Sequence, residues 1–489
     1  MTKAAASNVF PFPAPRVDDY PTYLPLQPQP IGSLLDADEY KQNQNPPKLF
    51  EEIEIRGVKF PNKAWVAPMC QYSADNGHPT DHHFVHYGSM AMRGWGSIMV
   101  EATGYVPEGR ITPECLGIWD DAHIPDYKRI VNYVHGLKGI IGIQLAHAGR
   151  KGSTPAPFVE GQFVEKGWKG GSTIPAENGG WPTSVPAPSA MSFKDGDYPD
   201  PIEASVEYLE SLKKAFVDAI ERCEKIGFDF IEIHGAHGYF IHEFTDPISN
   251  KRTDAYGGSF ENRIRLPLEL AKIAREKWSK PLFYRVSASD WLEEDLGPEK
   301  RANATEGEDE WAWWGIEQTT LFTQKLADLG VDLIDVSSGG NDLRQKIKLG
   351  PGYQLHFADH IKKHTENILV GTVGLITTPH QANDILEENK ADVVFFARQV
   401  LRDIDFPLEA ALELGVAASP AVQYQHAWTR MVVKRNAEEV HHKTSKEHGV
   451  DAVQGQEGHK KEVHANGNGH ANGHVNKRAP PPEVHTSVP

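Results

Sequence analysis

Phe228-Asp229-Phe230-Ile231-Glu232-Ile233 is a short apolar run with a different pattern on each side. Before it, residues 205–227 carry apolar side chains at three- and four-residue spacing and close on Gly227, the pattern of an amphipathic helix with a glycine stop. After it comes His234-Gly235-Ala236-His237-Gly238-Tyr239, polar and rich in glycine. An apolar run with little alternation reads as a strand buried on both faces, which belongs in a parallel sheet under helices.

Outward from this unit, the same order of apolar run, polar break and helical stretch recurs to a total of eight. The other runs are Trp65-Val66-Ala67-Pro68-Met69, Ile98-Met99-Val100-Glu101-Ala102, Ile140 to Ala146, Leu282 to Val286, Leu333 to Val336, Ile368 to Val373 and Val393 to Ala397. Helical spacing also marks 261–279, 316–330 and 378–389, with Gly330 closing one of them. Eight strand–helix units in roughly 350 residues predict an α/β chain folded as a single (β/α)8 barrel, the TIM barrel. A doubly wound sheet shows a similar alternation, and the count of eight favours the barrel.

Two segments are long for connections: 153–188, rich in Gly and Pro, and 293–310, mostly acidic. In a barrel they follow the third and fifth strands on the side where active sites form, as lids or rims. Residues 1–48, with Pro21, Pro25, Pro28, Pro30, Pro46 and Pro47, read as an extended Pro-rich arm ahead of a barrel over 49–430. Residues 431–489 turn to Lys, Glu, His, Asn and Gly with near-repeats around His464–His474, a low-complexity tail expected to be disordered.

Of the 489 residues, 67 are Asp or Glu and 50 Lys or Arg, a formal charge of −17 that argues against a nucleic-acid partner. No apolar run approaches the roughly 18 to 20 residues of a membrane span, and mean hydropathy is −0.48, so a soluble protein with no membrane partner is expected. Pro11, Pro13 and Pro15 interrupt the start, which lacks a secretory signal, and Thr486-Ser487-Val488-Pro489 spells no retention address. Cys70, Cys115 and Cys223 are too few and scattered for a disulfide framework, so the expectation is a cytoplasmic location.

Active sites of such barrels form where the strands end. There the sequence offers Cys70 and Tyr72; Glu101, Ala102 and Thr103; Gln144 and His147; His234, His237 and Tyr239; Arg285 and Ser287; Ser337 to Gly340; Gly371 and Gly374; and Arg398. Glycines near the last strands with Arg398 suit a phosphate, backbone N–H groups approaching its oxygens and the guanidinium adding a bidentate cation; Gly371 and Gly374 could equally make a turn. Arg285 either faces an anionic or carbonyl partner or pairs with a barrel carboxylate such as Glu232. His234 and His237 either hold a metal together with His147 and Glu232, as in a barrel hydrolase, or grip one carbonyl or anionic oxygen, with Tyr239 as a phenol able to give a proton. Tyr239 could also be a packing residue.

The strings Ala67-Pro68-Met69-Cys70-Gln71-Tyr72, Gly142-Ile143-Gln144-Leu145-Ala146-His147-Ala148-Gly149-Arg150 and Ile231 to Tyr239 resemble the Old Yellow Enzyme family of flavin-dependent ene-reductases. So does Asn250-Lys251-Arg252-Thr253-Asp254-Ala255-Tyr256-Gly257-Gly258-Ser259-Phe260-Glu261-Asn262-Arg263, and the match runs in order from about 50 to 430. Cys70 and the paired histidines, where other branches carry Thr and His/Asn, resemble the thermophilic-like branch typified by the bacterial enzyme YqjM. The resemblance implies non-covalent FMN, with NADPH, or NADH, as hydride donor and an electron-poor alkene as the small-molecule partner. It implies Ala67, Pro68, Met69 and Cys70 along the flavin ring, Ala102 and Gln144 at its polar edge, Arg285 near its pyrimidine side, and Ala397 and Arg398 at the phosphate. It makes His234 and His237 the binders of the substrate oxygen, Tyr239 the proton donor and Tyr72 part of the pocket. A resident metal is not expected, and an iron–sulfur cluster would need a tight group of cysteines that the chain lacks. In Tyr424-Gln425-His426-Ala427-Trp428, His426 stands where relatives place an Arg that reaches a neighbouring subunit, so a homo-oligomer is possible but its shared site is in doubt.

Overall fold

The computed structural model describes residues 15–159, 172–302 and 309–428. The 431–489 tail and the middles of both long connections lie outside the described residues. Eight parallel strands close on themselves in chain order: β1 (Ala64–Val66), β2 (Ser97–Gly104), β3 (Ile141–Ala146), β4 (Phe230–Gly235), β5 (Leu282–Ser287), β6 (Leu333–Ser337), β7 (Leu369–Thr372) and β8 (Val393–Phe396). A helix follows each: α1 (Asp81–Ala91), α2 (Ile124–Gly136), α3 (Val206–Ile226), α4 (Arg265–Lys277), α5 (Ile316–Asp328), α6 (Leu355–His364), α7 (Pro379–Glu387) and α8 (Phe406–Glu413). This is the (β/α)8 barrel expected from the alternation.

α3 shows why these segments become helices. Ser205 caps its start by accepting from the Tyr208 N–H, and Gly227 ends it in the left-handed conformation at φ 99°. Between them Leu209, Leu212, Phe216, Ile220 and Cys223 form one buried stripe against the barrel.

The amino end of the barrel is shut by aromatics. A hairpin, Ile53–Ile55 with Val58–Phe60, turns at Arg56 and Gly57, both with positive φ as a two-residue hairpin loop requires. It delivers Phe60 onto Trp65, ring centroids 4.4 Å apart, and Trp65 stacks on Phe283 at 5.7 Å, which in turn meets Phe230 at 4.8 Å. Gly142 leaves the room this cluster needs, since a Cβ there would lie 2.3 Å from the Phe230 ring.

Residues 15–48 do not project as a free arm. Leu24 and Ile31 are buried, Gly32 N–H donates to Ser419 O and Ser419 N–H to Ser33 O, and the Asn43 amide bridges Leu35 O and Ala417 O. A Pro-rich chain with few apolar residues is held by backbone pairing to the 417–419 segment rather than by a core of its own. The described parts of the two long connections lie past the carboxyl ends of β3 and β5. Phe158 there faces Tyr72 (6.4 Å between centroids), and Glu299 accepts from the first N–H groups of α5 at Glu317 and Gln318.

Candidate active site

The sequence-predicted residues converge on the carboxyl end of the barrel, held there by inward-facing positions of neighbouring strands in register. Gln144 on β3 lies opposite Glu232 on β4 and donates to it at 2.8 Å. His234 lies opposite Arg285 on β5, and Arg285 opposite Asp335 on β6, with Arg285 Nε 3.1 Å from the carboxylate. The ion-pair partner of Arg285 is therefore Asp335 and not Glu232, as the reading of Arg285 as a structural pair had it. Strand spacing alone gives no inter-strand register, and register places Asp335 beside it. Burial, then the neighbouring Asp335, push the Glu232 carboxyl well above the usual range, and burial raises Asp335 too, against the Arg285 charge.

His234, His237 and Tyr239 lie on the turn that leaves β4. The His234 ring centroid is 5.3 Å from that of His237 and 5.2 Å from that of Tyr239. His237 sits in the left-handed region at φ 61°, costly for a side chain with a Cβ, and three contacts hold it there. Its N–H donates to Ser287 Oγ at 2.8 Å, its Nε2 lies 2.7 Å from Ser337 Oγ, and its carbonyl accepts from Lys151 Nζ at 2.9 Å. Burial, then the Arg285 charge, hold both imidazoles well below the usual histidine range, so they are neutral N–H donors at pH 7. Burial raises the Tyr239 phenol, which keeps its proton.

At the end of β1, Ala67 N–H donates to Phe396 O and ties β1 to β8, and Pro68, Met69 and Cys70 follow half-buried. The Cys70 thiol, hydrogen-bonded to Cys115 and partly shielded, is held above the usual thiol range. Tyr72 is itself left-handed, at φ 50°. Ala102 belongs to a bulge: Glu101 and Ala102 together stand opposite Gln144. Glu101 was a strand-end residue without an assigned role; it accepts from Gln71 N–H and the Tyr87 hydroxyl, fixing the segment that carries Cys70 and Tyr72.

Gly371 lies inside β7, where a Cβ would meet the Phe395 ring at 2.4 Å, so interior packing accounts for it. Gly374, at φ 125°, lies in the loop beyond. Ala397 precedes the short helix Arg398–Arg402, and Arg398 is exposed, with no ion pair among the described residues. Burial raises the Tyr353 phenol, against the charges of Arg398 and Arg285. His147 turns elsewhere: its Nδ1 accepts from Gly149 N–H and its Nε2 lies 2.9 Å from the Tyr208 hydroxyl, away from a joint ligand set with His234 and His237. Among the described residues no group of three or more His, Cys, Asp or Glu is arranged to hold a metal ion.

Sequence reasoning missed Asp335, Ser337 as a partner of His237, and Lys151. Asp335 had the signal of a lone charge within an apolar strand, whereas Lys151 sits on an irregular turn, Gly149–Lys151, without any periodic mark.

A family profile described as the NADH:flavin oxidoreductase / NADH oxidase family matches residues 48–415. The chain belongs to that family. It is 42% identical over 409 residues to an NADH:flavin oxidoreductase of Gibberella zeae, covering 82% of this chain and 92% of the relative. Morphinone reductase has the same fold (TM-score 0.57, 24% identity, 77% of this chain and 92% of that one), as does the old yellow enzyme homologue from Zymomonas mobilis (0.57, 23%, 76% and 94%). A 2-naphthoyl-CoA reductase aligns at TM-score 0.62 and 22% identity over 74% of this chain and 52% of its own. The resemblance to the Old Yellow Enzyme family thus holds, and the chain is an FMN-dependent oxidoreductase. The residues present fit such a flavin. Arg398 is a cation without an ion pair among the described residues, and His234 Nδ1 and Glu232 Oε2 are shielded polar atoms with no hydrogen-bond partner among them. No helix of the described residues is long and apolar enough to cross a membrane.

Proposed function

We propose that this oxidoreductase reduces the activated C=C bond of α,β-unsaturated carbonyl or nitro compounds at the expense of NADPH, NADH being the alternative donor. The observation that carries the reading is the pair of neutral imidazoles, His234 and His237, beside the protonated phenol of Tyr239 on one turn.

FMN, when bound, supplies the hydride for the β-carbon. Ala67 to Cys70, Ala102, Gln144 and Arg285 would hold its ring, and Gly374, Ala397 and Arg398 its phosphate. The substrate oxygen accepts from His234 and His237, whose N–H groups stabilise the negative charge that develops on it. Ser337 occupies Nε2 of His237 and so leaves Nδ1 for that oxygen. Tyr239 gives its proton to the α-carbon. Tyr72 and Phe158 wall the approach from the side of the first long connection. Cys70 and the histidine pair support placement in the thermophilic-like branch.

A screen of NADPH and NADH oxidation across enones, maleimides and nitroalkenes, with product analysis, tests this. Saturated products from at least one class are expected. Oxidation that depends only on dioxygen would overturn the substrate class while leaving the flavin chemistry intact.

A further inference from the structure

Lys151 is a lysine where the barrel has least reason to keep one. It is 7% exposed and makes no ion pair closer than 4 Å among the described residues. Its Nζ donates to two carbonyls, His237 O at 2.9 Å and Gly340 O at 2.6 Å. Both acceptors belong to left-handed residues, His237 at φ 61° and Gly340 at φ 95°, and their backbones are pressed together: a Cβ on Gly340 would lie 2.6 Å from His237 O. One ammonium thus clasps the turn after β4 to the turn after β6. The same Nζ lies 5.2 Å from the centroid of the Tyr239 ring and 4.4 Å from that of Phe193, inside a two-ring aromatic cage.

We propose that Lys151 is a positioning residue for the proton donor: its ammonium, clasped by the His237 and Gly340 carbonyls, fixes the turn that bears Tyr239 and raises the acidity of the Tyr239 phenol. The proposal rests on Tyr239 being the acid. A cation over the ring interacts with the neutral phenol through its π face and more strongly with the phenolate that forms as the proton leaves. The assistance therefore grows along the proton transfer, which is the condition for lowering its barrel-bound barrier.

The charge on Lys151 is itself conditional. Burial, then the adjacent Arg150, pull its pKa down to about 7, against the attraction of Glu243 and Asp290. Arg150 is on its own turn, His242 and Glu243 on the short helix Phe240–Thr245, Asp290 on the loop after β5, and His234 and His237 at the end of β4 are neutral. Glu243 is pushed up to about 8 by burial, and burial, then Asp246, raise Asp290 well above the usual carboxylate range as well. As pH rises through 7 the ammonium is lost, so the protonation step should slow with rising pH.

The test uses the full-length, FMN-loaded protein with Lys151→Gln, which keeps amide donors but no charge, Lys151→Met, which keeps neither, and Lys151→Arg, which keeps both. Site-specific 3-fluorotyrosine at position 239 reports the charge over its ring by fluorine NMR without turnover. In the unsubstituted protein the fluorine shift should step as pH passes through 7, and Gln and Met should remove that step. They should slow the enone half-reaction roughly tenfold or more and abolish its decline above pH 7, while the nicotinamide half-reaction stays within about two- to threefold. Arg should restore the rate but not the decline above pH 7, because a guanidinium keeps its charge. The same step near pH 7 in Gln and Met, or none in the unsubstituted protein, would overturn the proposal. So would an equal loss in both half-reactions, with flavin lost and no rescue by Arg, which would make Lys151 a brace and nothing more. If Tyr239→Phe instead leaves enone reduction intact, the acid reading fails, and the fluorine shift still decides whether the Lys151 charge acts on the ring at 239.

Discussion

The two ends of the barrel solve opposite problems. At the amino end Phe60, Trp65, Phe230 and Phe283 stack into a plug in which ring meets ring and no charge is present. At the carboxyl end the same strands carry Gln144, Glu232, His234, Arg285 and Asp335, with shielded polar atoms lacking partners and a left-handed histidine. An apolar plug gains free energy from burial and packing, whereas buried polar groups cost it unless paired. The closed end therefore stabilises a barrel whose open end keeps strained and under-satisfied groups for chemistry.

Breaking either end should show in a different observable. The largest effect is expected at the open end: Tyr239→Phe keeps the ring, should slow the enone half-reaction by about 10² to 10⁴ and should leave the nicotinamide half-reaction little changed, as stopped-flow traces of both will show. Nitroalkenes should suffer less, because their anionic product is stable enough to be protonated in solution. At the closed end, Trp65→Ala should cost about 3–5 kcal/mol of stability in a denaturant titration, because it opens a cavity among rings that cannot collapse around it. Whatever fraction remains folded should turn over near the wild-type rate, and a selective loss of the enone step would mean the two ends are not separable.

Two smaller effects sharpen the comparison. Arg398→Ala removes an exposed cation from the flavin region and should weaken FMN retention by roughly ten- to a hundredfold, about 1.5–3 kcal/mol, measured by fluorescence of released flavin. Deleting 436–489 should change the unfolding free energy by less than about 0.5 kcal/mol and leave turnover alone, since its composition offers no core. Loss of activity on that deletion would assign the tail a role its sequence does not reveal.

The barrel was legible because strands buried on both faces write themselves as apolar runs, and each is set apart by a helix with its own stripe. Boundaries were less so. The run from Trp65 to Met69 is a strand only over Ala64–Val66, because Pro68 has no N–H to give a neighbouring strand, and the run beginning at Phe228 pairs only from Phe230. Site residues were legible where a motif marks a strand end, as with His234, His237 and Tyr239. Partners depend on register and loop path, so Asp335 was not seen as the partner of Arg285 and Lys151 was passed over. Residues 15–48 read as an extended Pro-rich arm, and composition carries no mark of their backbone pairing to 417–419.

The central claim is that hydride reaches one carbon of an activated alkene while a proton from the enzyme reaches the other. Anaerobic turnover of an enone with unlabelled NADPH in deuterated water tests it directly, by mass and NMR analysis of the product. The account predicts a saturated carbonyl with one deuterium at the α-carbon and none at the β-carbon. No saturated product, or solvent deuterium at the β-carbon, would contradict it.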